Sequence, residues 1–186
     1  MGLIKKIAEL FSAKRYIQKV MEEYDREQAR YAAMSHSELA ALSDADLLSA
    51  AVYRAEHHMT EELGEDREGT PADWVRVLPH AAATVYMLSE FEAEMLLGDG
   101  LAEFFEDANR GFAPYVADAL AEIGAEEHRA LYEGFLLREN VDTAHPESFP
   151  SYLTAKAITA FNEGYRALPV LESALAVYIR ANLAEF

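Results

Sequence analysis

The spacing of apolar residues predicts helices along almost the whole chain. Leu, Ala, Met and aromatic residues recur at intervals of three and four positions, and no stretch alternates between apolar and polar residues as a half-exposed strand would. Ala, Leu and Glu, which are strong helix formers, are the commonest residues in these stretches. The pattern predicts an all-α fold, in which eight to ten helices form a single compact multi-helix domain.

Capping residues indicate where the first helices of the main body begin. Ser35 and Ser43 are each followed three positions later by an acidic residue, and Thr70 precedes a proline that suits the first position of a helix. We expect a helix to start after each of these residues, the second one running to about Leu63. Residues 80–97 follow another proline and predict one continuous helix.

Glycine and proline residues divide the second half of the chain into shorter helices. Gly98 is expected to end the long helix, a short helix is predicted for residues 100–108, and Pro114 is expected to open the next one. Gly124 suits the left-handed position that ends that helix. Further helices are predicted over residues 125–138, 151–167 and 169–184, with the longest loop over residues 140–150.

The first 34 residues are predicted to form an amphipathic helical segment, separate from an all-α domain over residues 35–186. Apolar residues at helical spacing lie beside basic ones, the apolar set being Leu3, Ile4, Ile7, Leu10 and Phe11 and the basic set Lys5, Lys6, Lys14, Arg15 and Lys19. Such a segment could lie on an anionic membrane, or it could pack on the acidic body of its own chain or of a second subunit. Packing is the favoured interpretation, and a homodimer is one form of it.

The length and composition describe one domain that can bury a core and has no cysteine. A chain of 186 residues fits a single domain of ordinary size. The absence of cysteine excludes a disulfide framework and a thiolate metal site, and it fits a reducing cytoplasm. No apolar run approaches the roughly 20 residues that span a bilayer, and the N-terminal residues lack the features of a signal peptide. We therefore expect a cytoplasmic protein with no membrane partner.

The charge of the chain is strongly negative and unevenly distributed. There are 33 acidic and 16 basic residues, a net charge of -17, yet residues 1–30 contain seven basic and five acidic residues, a net charge of +2. Nucleic-acid binding needs Lys and Arg side chains that neutralise phosphates, so the composition argues against direct binding of nucleic acid. A basic protein is the expected partner, with a salt-sensitive association rate. The alternative is that the charge only maintains solubility.

Residues 88–135 contain an unusual order of motifs. A helix rich in Glu is followed by a Gly-Asp-Gly turn at residues 98–100, an aromatic pair at residues 104–105, and the sequence Ala-Leu-Ala-Glu-Ile-Gly-Ala at residues 119–125. This order resembles the DNA-mimic-protein family, many of whose members are catalogued as a domain of unknown function. The family pattern has an acidic helix, an Asn-Gly-Gly-Phe turn, a Gln before paired aromatics, an Asn, and an Ala-Leu-x-x-Ile-Gly-Ala segment.

The chain departs from the family pattern in ways that make this region more acidic. The turn at residues 98–101 reads Gly-Asp-Gly-Leu, Glu103 stands at the position of the family's Gln, and Asp107 stands at the position of its Asn. The glycines of the turn could let a partner approach the main chain closely, or they could simply end one helix before the next begins. A weaker resemblance extends over residues 171–186, so the similarity covers roughly the second half of the chain.

The resemblance implies a non-enzymatic acidic interaction protein that mimics the charge of DNA and occupies a basic partner, such as a DNA-binding protein. Carboxylates three or four residues apart on a helix are about 5–6 Å from each other, and a DNA strand has one phosphate per about 3.4 Å. Acidic side chains from two helices on one surface could therefore imitate part of a phosphate row, and the alternative is an ordinary solvated helix face. The candidate partner-binding residues are Glu90, Glu94, Asp99, Glu103, Glu106 and Asp107.

Two other classes of function remain open from the sequence. A small-molecule or metal site in a helical bundle could use His57 with Glu61, or the adjacent pair at residues 127–128. However, the chain has no His-Glu-x-x-His motif, no paired Glu-x-x-His motifs of a dimetal bundle, and no Gly-x-Ser-x-Gly motif. We therefore predict no enzymatic activity, no catalytic residue, no cofactor and no metal. The third class is a structural protein that oligomerises through its N-terminal segment.

Overall fold

Ten α-helices form most of the regular structure in the residues that the computed structural model describes, which are 19, 22, 24–149 and 155–186. They are α1 (residues 24–33), α2 (His36–Ala40), α3 (Asp44–Leu63), α4 (Pro71–Trp74), α5 (His80–Leu97), α6 (Leu101–Glu106), α7 (Val116–Glu122), α8 (Glu126–Glu139), α9 (Ala155–Arg166) and α10 (Glu172–Ala181). Short 3-10 turns lie at Val75–Val77, Ala108–Phe112, Pro146–Ser148 and Leu183–Glu185. No strand occurs within the described residues, and the predicted all-α fold of eight to ten helices is confirmed.

Local capping signals place the helix starts where the sequence predicts them. The Ser35 hydroxyl accepts the N–H of Glu38, and the Glu38 carboxylate accepts the N–H of Ser35, so the two residues cap α2 reciprocally. Ser43 caps α3 by accepting the N–H of Asp46, and α3 ends at Leu63 as expected. The starts of α4 and α5 also agree with the prediction.

Some helices in the second half differ from their predicted bounds. α6 ends at Glu106 instead of residue 108, because Asp107 takes an extended backbone and its carboxylate accepts the N–H of Ala108. α7 and α10 begin slightly later than predicted, since turn residues precede them. The predicted start of α9 lies outside the described residues. After α7, Gly124 takes the expected left-handed conformation, with φ of 77°.

The long helix α5 lies at the centre of the molecule, where α3, α6, α7, α9 and α10 all pack against it. Phe91 on its buried side contacts three aromatic rings edge to face. These are Phe104, Tyr132 and Tyr165, with ring centroids at 5.0, 5.6 and 5.7 Å. Such aromatic pairs contribute roughly 0.5–1.5 kcal/mol each beyond the burial of area. This packing fixes the rotation of α5 about its axis, and it leaves Glu90 and Glu94, on an adjoining face of the helix, partly exposed.

The described part of the N-terminal segment packs on the rest of the fold through its last turns. Tyr31 of α1 is buried, and its carbonyl oxygen accepts a hydrogen bond from the Arg54 guanidinium of α3. The same guanidinium donates to the carbonyl oxygens of Met34 and Phe186. The predicted apolar face and most of the predicted basic set lie among residues 1–18, outside the described residues. The boundary after residue 34 and the homodimer therefore stay predictions, and membrane contact stays the less favoured alternative.

Candidate interaction surface

Two glutamates on α5 share one hydrogen-bond donor. Glu90 and Glu94 lie one turn apart on the same face, and the Asn109 side-chain amide donates to a carboxylate oxygen of each at 3.3 Å. Asn109 belongs to the 3-10 turn that follows α6, so the amide ties that turn to α5. An amide nitrogen donates two hydrogen bonds but has no charge, and it therefore holds both carboxylates without neutralising them.

The turn between α5 and α6 is held by α9. Asn162 of α9 accepts the N–H of Leu101 at 3.0 Å and donates to the carbonyl oxygen of Asp99 at 3.1 Å. Gly100 is buried with φ of 81°, and a Cβ there would overlap the Asn162 amide. The close approach that the sequence allows at this glycine is thus made by α9, not by a partner. The turn is a fixed support for the side chain of Asp99.

α6 presents its acidic side to solvent because its aromatic side is buried. Phe104 and Phe105 are 0% and 2% exposed. On the other side, Glu103 accepts the N–H of Asp99 at 2.6 Å, which fixes this carboxylate against the turn. A shallow bay of about 310 Å³ lies on this side of α6. It is lined by Ala102 and four acidic residues, Asp99, Glu103, Glu106 and Asp107.

The carboxylates of α5 and α6 influence one another electrostatically. Burial raises the pKa of Glu94, and the hydrogen bond from Asn109 lowers it. The negative charges of Glu103 and Asp107 raise the pKa of Glu94 further, which means that these groups are near enough to repel it. The pKa of Glu90 is also raised, mainly by burial, and the charge of Glu94 adds to this. Carboxylates on α5, on α6 and just after α6 thus lie close enough to repel one another.

The structure brings all six predicted site residues together. We refer to them as the acidic surface, which consists of Glu90, Glu94, Asp99, Glu103, Glu106 and Asp107. Within the part of the chain that the structure describes, none of the six forms an ion pair with Lys, Arg or His. Neutral donors hold the carboxylates of Glu90, Glu94, Glu103 and Asp107 in place without neutralising their charge.

Two residues of this region are missed by sequence reasoning. Glu56 of α3 is near enough to raise the pKa of Glu90, but its own charge is compensated by Arg67 at 2.9 Å. Only the packing of α3 on α5 brings Glu56 here, so no local spacing indicates it. Asn109 is visible in the sequence only as part of a helix stop, because the comparison with the family pattern puts the family's Asn at Asp107. The only signal in the sequence was that Asn109 has a side-chain amide, which can donate hydrogen bonds to carboxylates.

The two residue pairs considered for a metal site do not combine into one cluster among the described residues. His57 and Glu61 form an exposed pair at 3.3 Å on α3. His128 is buried against Tyr165, and burial lowers the pKa of this histidine. No group of three or more side chains suited to hold a metal ion occurs among the described residues. In the same range, no helix has both the length and the apolar character that crossing a membrane requires.

Comparison with known proteins agrees with the motif-based interpretation. The model of the family described as DMP19-like protein matches residues 76–182, which is more than half of the chain. The matched range contains every residue of the acidic surface. A search of curated proteins gives no match, and a search of solved structures gives none either.

Proposed function

The chain belongs to the DMP19-like protein family, a family of DNA-mimic proteins, and we propose that it is a non-enzymatic cytoplasmic protein that occupies a basic, DNA-binding partner. The acidic surface carries the proposal, because its six carboxylates lie side by side and no ion pair within the described residues compensates them. Lys and Arg side chains that bind DNA phosphates could bind these carboxylates instead. Nucleic acid itself is not the partner, since the same charge repels phosphate.

The position of the carboxylates strengthens their effect on a partner. Glu90 and Glu94 are only partly exposed, so water screens them less than it screens a fully exposed charge. Charges of one sign gathered on one face steer an oppositely charged protein and raise its association rate. Binding should therefore be fast at low ionic strength and much slower at high ionic strength.

Hydrogen bonds hold the acidic surface in one arrangement before a partner arrives. The Asn109 amide holds the two carboxylates of α5, and the N–H of Asp99 holds the carboxylate of Glu103. Asn162 holds the turn between the two helices. Groups that are already ordered lose less conformational entropy on binding. This favours a rigid template over a flexible acidic tail.

Capture of proteins on the immobilised full chain tests the proposal. We expect the captured proteins to be released by duplex DNA, because the acidic surface and DNA would compete for the same basic site. Release should also follow when the salt concentration rises from about 0.05 M to 0.5 M, since salt screens contacts between exposed charges. A partner that is held equally at both salt concentrations, and in the presence of DNA, would count against the proposal.

Charge reversal at one residue links the captured partner to the acidic surface. Glu106→Lys changes an exposed residue of the bay, and we expect it to weaken capture roughly tenfold, or by about 1.4 kcal/mol. Glu62→Lys is the matched control, because Glu62 is an exposed residue at the end of α3 and outside the acidic surface. It makes the same change in net charge. Equal losses for the two variants would mean that only the net charge matters.

A further inference from the structure

An apolar groove lies beside the acidic surface. It has a volume of about 600 Å³ between α3 and α5, and α1 contributes one residue to its wall. Its large apolar residues are Tyr24, Leu48, Val52, Tyr53, Leu96 and Leu97. Leu97 is 88% exposed, and Leu96 and Tyr24 are 39% and 43% exposed. Contiguous apolar residues that remain this exposed mark an interaction site more often than ordinary surface.

The groove has the length of about two helical turns. Its lining positions run from Leu48 to Glu56 on α3 and from Ser89 to Leu97 on α5. Within each set they recur at intervals of three and four, which puts them on one face of the helix. The eight steps from the first to the last of these positions rise about 12 Å along the helix axis. A groove of this kind between two helices accepts the apolar side of a third helix.

The groove and the acidic surface run side by side along α5. Glu90 lines the groove and also belongs to the acidic surface, and Glu94 follows one turn later. Glu56 lies on the α3 wall, where Arg67 compensates its charge. A helix in the groove therefore has the carboxylates of Glu90 and Glu94 along its α5 flank. Charge complementarity favours Lys and Arg beside the apolar residues of that helix, and it disfavours an acidic helix or an anionic lipid surface.

We propose that the groove binds an amphipathic helix of the basic partner, with the apolar side of that helix between α3 and α5 and its Lys and Arg side chains on the acidic surface. This inference rests on the proposed function, because it assigns a second contact to the same partner. A small molecule fits less well, since a residue as exposed as Leu97 cannot enclose a ligand. The acidic surface then sets the rate of association, and the groove lengthens the lifetime of the complex.

Two fluorescent peptides test the inference on the full chain. The first is an amphipathic helix of Leu and Lys with about 18 residues, long enough to become helical, and the second has Ser in place of every Leu. Fluorescence anisotropy measures their affinities. We expect the Leu/Lys peptide to bind roughly tenfold more tightly than the Ser/Lys peptide.

Variants of exposed leucines test whether the groove causes the tighter binding of the Leu/Lys peptide. Leu97→Ser and Leu96→Ser should remove most of it, because both leucines line the groove. Leu137→Ser is the matched control, since Leu137 is 84% exposed on α8 and does not line the groove. It should leave the advantage unchanged. Circular dichroism checks that all three variants remain folded.

The peptide measurements distinguish the groove from the acidic surface. If the Leu/Lys peptide has no advantage, or if Leu97→Ser leaves the advantage intact, the inference is overturned. Binding of both peptides that weakens with salt and with Glu106→Lys would still support the acidic surface. Binding that responds to neither would overturn the proposed function as well. If Leu97→Ser instead lowers the mass of the protein in solution, a second copy occupies the groove, and the assignment to a partner is overturned.

Discussion

At the scale of single residues, Glu90 illustrates how the acidic surface acts against folding. Burial raises the pKa of Glu90, and the hydrogen bond from Asn109 lowers it. The negative charges of Glu56 and Glu94 raise it further. The surroundings of Glu90 thus favour the neutral acid over the ionised carboxylate. A cationic partner would relieve this unfavourable interaction, whereas the isolated protein has to fold in spite of it.

Replacing Glu90 by Gln should make the isolated protein more stable at neutral pH, by up to about 1 kcal/mol. A carboxyl whose pKa is raised in the folded state contributes its full stability below the unfolded pKa of about 4.3. It loses that contribution as the pH rises through the folded pKa. The wild-type chain should therefore become less stable than Glu90→Gln as the pH rises from about 4 to 7, and urea unfolding at several pH values measures the difference.

The exposed Glu62 supplies the control for this prediction. Glu62→Gln removes a carboxylate that lies outside the acidic surface, and it should change the free energy of unfolding little. If Glu90→Gln is no more stable than the wild type at pH 7, neither the burial of this carboxylate nor its repulsion by Glu56 and Glu94 opposes folding. A gain in stability together with a loss of partner capture would mean that binding, not folding, benefits from this carboxylate.

At the scale of elements, the acidic surface depends on how α9 holds the turn between α5 and α6. Asn162 fills the space that a side chain at Gly100 would need, and its amide satisfies backbone groups on both sides of the turn. Arg166, one turn further along α9, donates to the carbonyl oxygen of Met95 near the end of α5. A helix with no carboxylate in the acidic surface thus determines where Asp99 lies.

Gly100→Ala should destabilise the fold more than Gly124→Ala does. Both glycines have positive φ, so alanine at either position costs on the order of 1–3 kcal/mol of backbone strain, and the ψ of -143° at Gly100 is the less favourable for alanine. A Cβ at Gly100 would also overlap the Asn162 amide, whereas nothing lies within 4 Å of a Cβ at Gly124. Urea unfolding of the two variants measures the difference. Equal losses would mean that Asn162 moves aside easily and does not hold the turn.

The sequence predicts the elements well because their ends depend on local chemistry. The caps at Ser35 and Ser43 are made within three residues, and so the starts of α2 and α3 are predicted correctly. The contacts of the acidic residues with the rest of the fold are not predicted by the sequence. Glu56 and Asn109 come close to Glu90 only through tertiary packing, and no spacing along the chain encodes such contacts. The six acidic residues were proposed from the sequence as one site, which stays a prediction, but the sequence could not indicate that Asn109 holds two of them.

At the scale of the whole molecule, several arginines serve the framework instead of neutralising carboxylates of the acidic surface. Arg54, Arg166 and Arg180 donate hydrogen bonds to backbone carbonyl oxygens near the ends of α1, α5 and α2. Cations near helix C-termini are favourable, because unpaired carbonyl groups and the helix dipole concentrate negative charge there. These three positive charges thus lie near helix ends and not beside the carboxylates of the acidic surface.

Added salt should stabilise the isolated protein and weaken its partner complex. Raising NaCl from about 0.02 M to 0.5 M screens repulsion among the exposed carboxylates, and a gain of about 1 kcal/mol would raise the melting temperature by about 2–4 °C. Differential scanning calorimetry measures this shift. The double variant with Glu94→Gln and Glu106→Gln should show a smaller rise in melting temperature. If the two chains respond equally, the effect comes from the net charge of -17 and not from the acidic surface.

The acidic surface affects the solvent around it, because no ion pair among the described side chains neutralises its six carboxylates. Dissolved cations must gather near such a cluster, as they do along the phosphates of a duplex. A protein that binds there sets those ions free, and their gain in entropy drives association in the same way as it does on DNA. The likeness to nucleic acid would then lie in the ionic atmosphere that the incoming protein disperses, as much as in any match of shape.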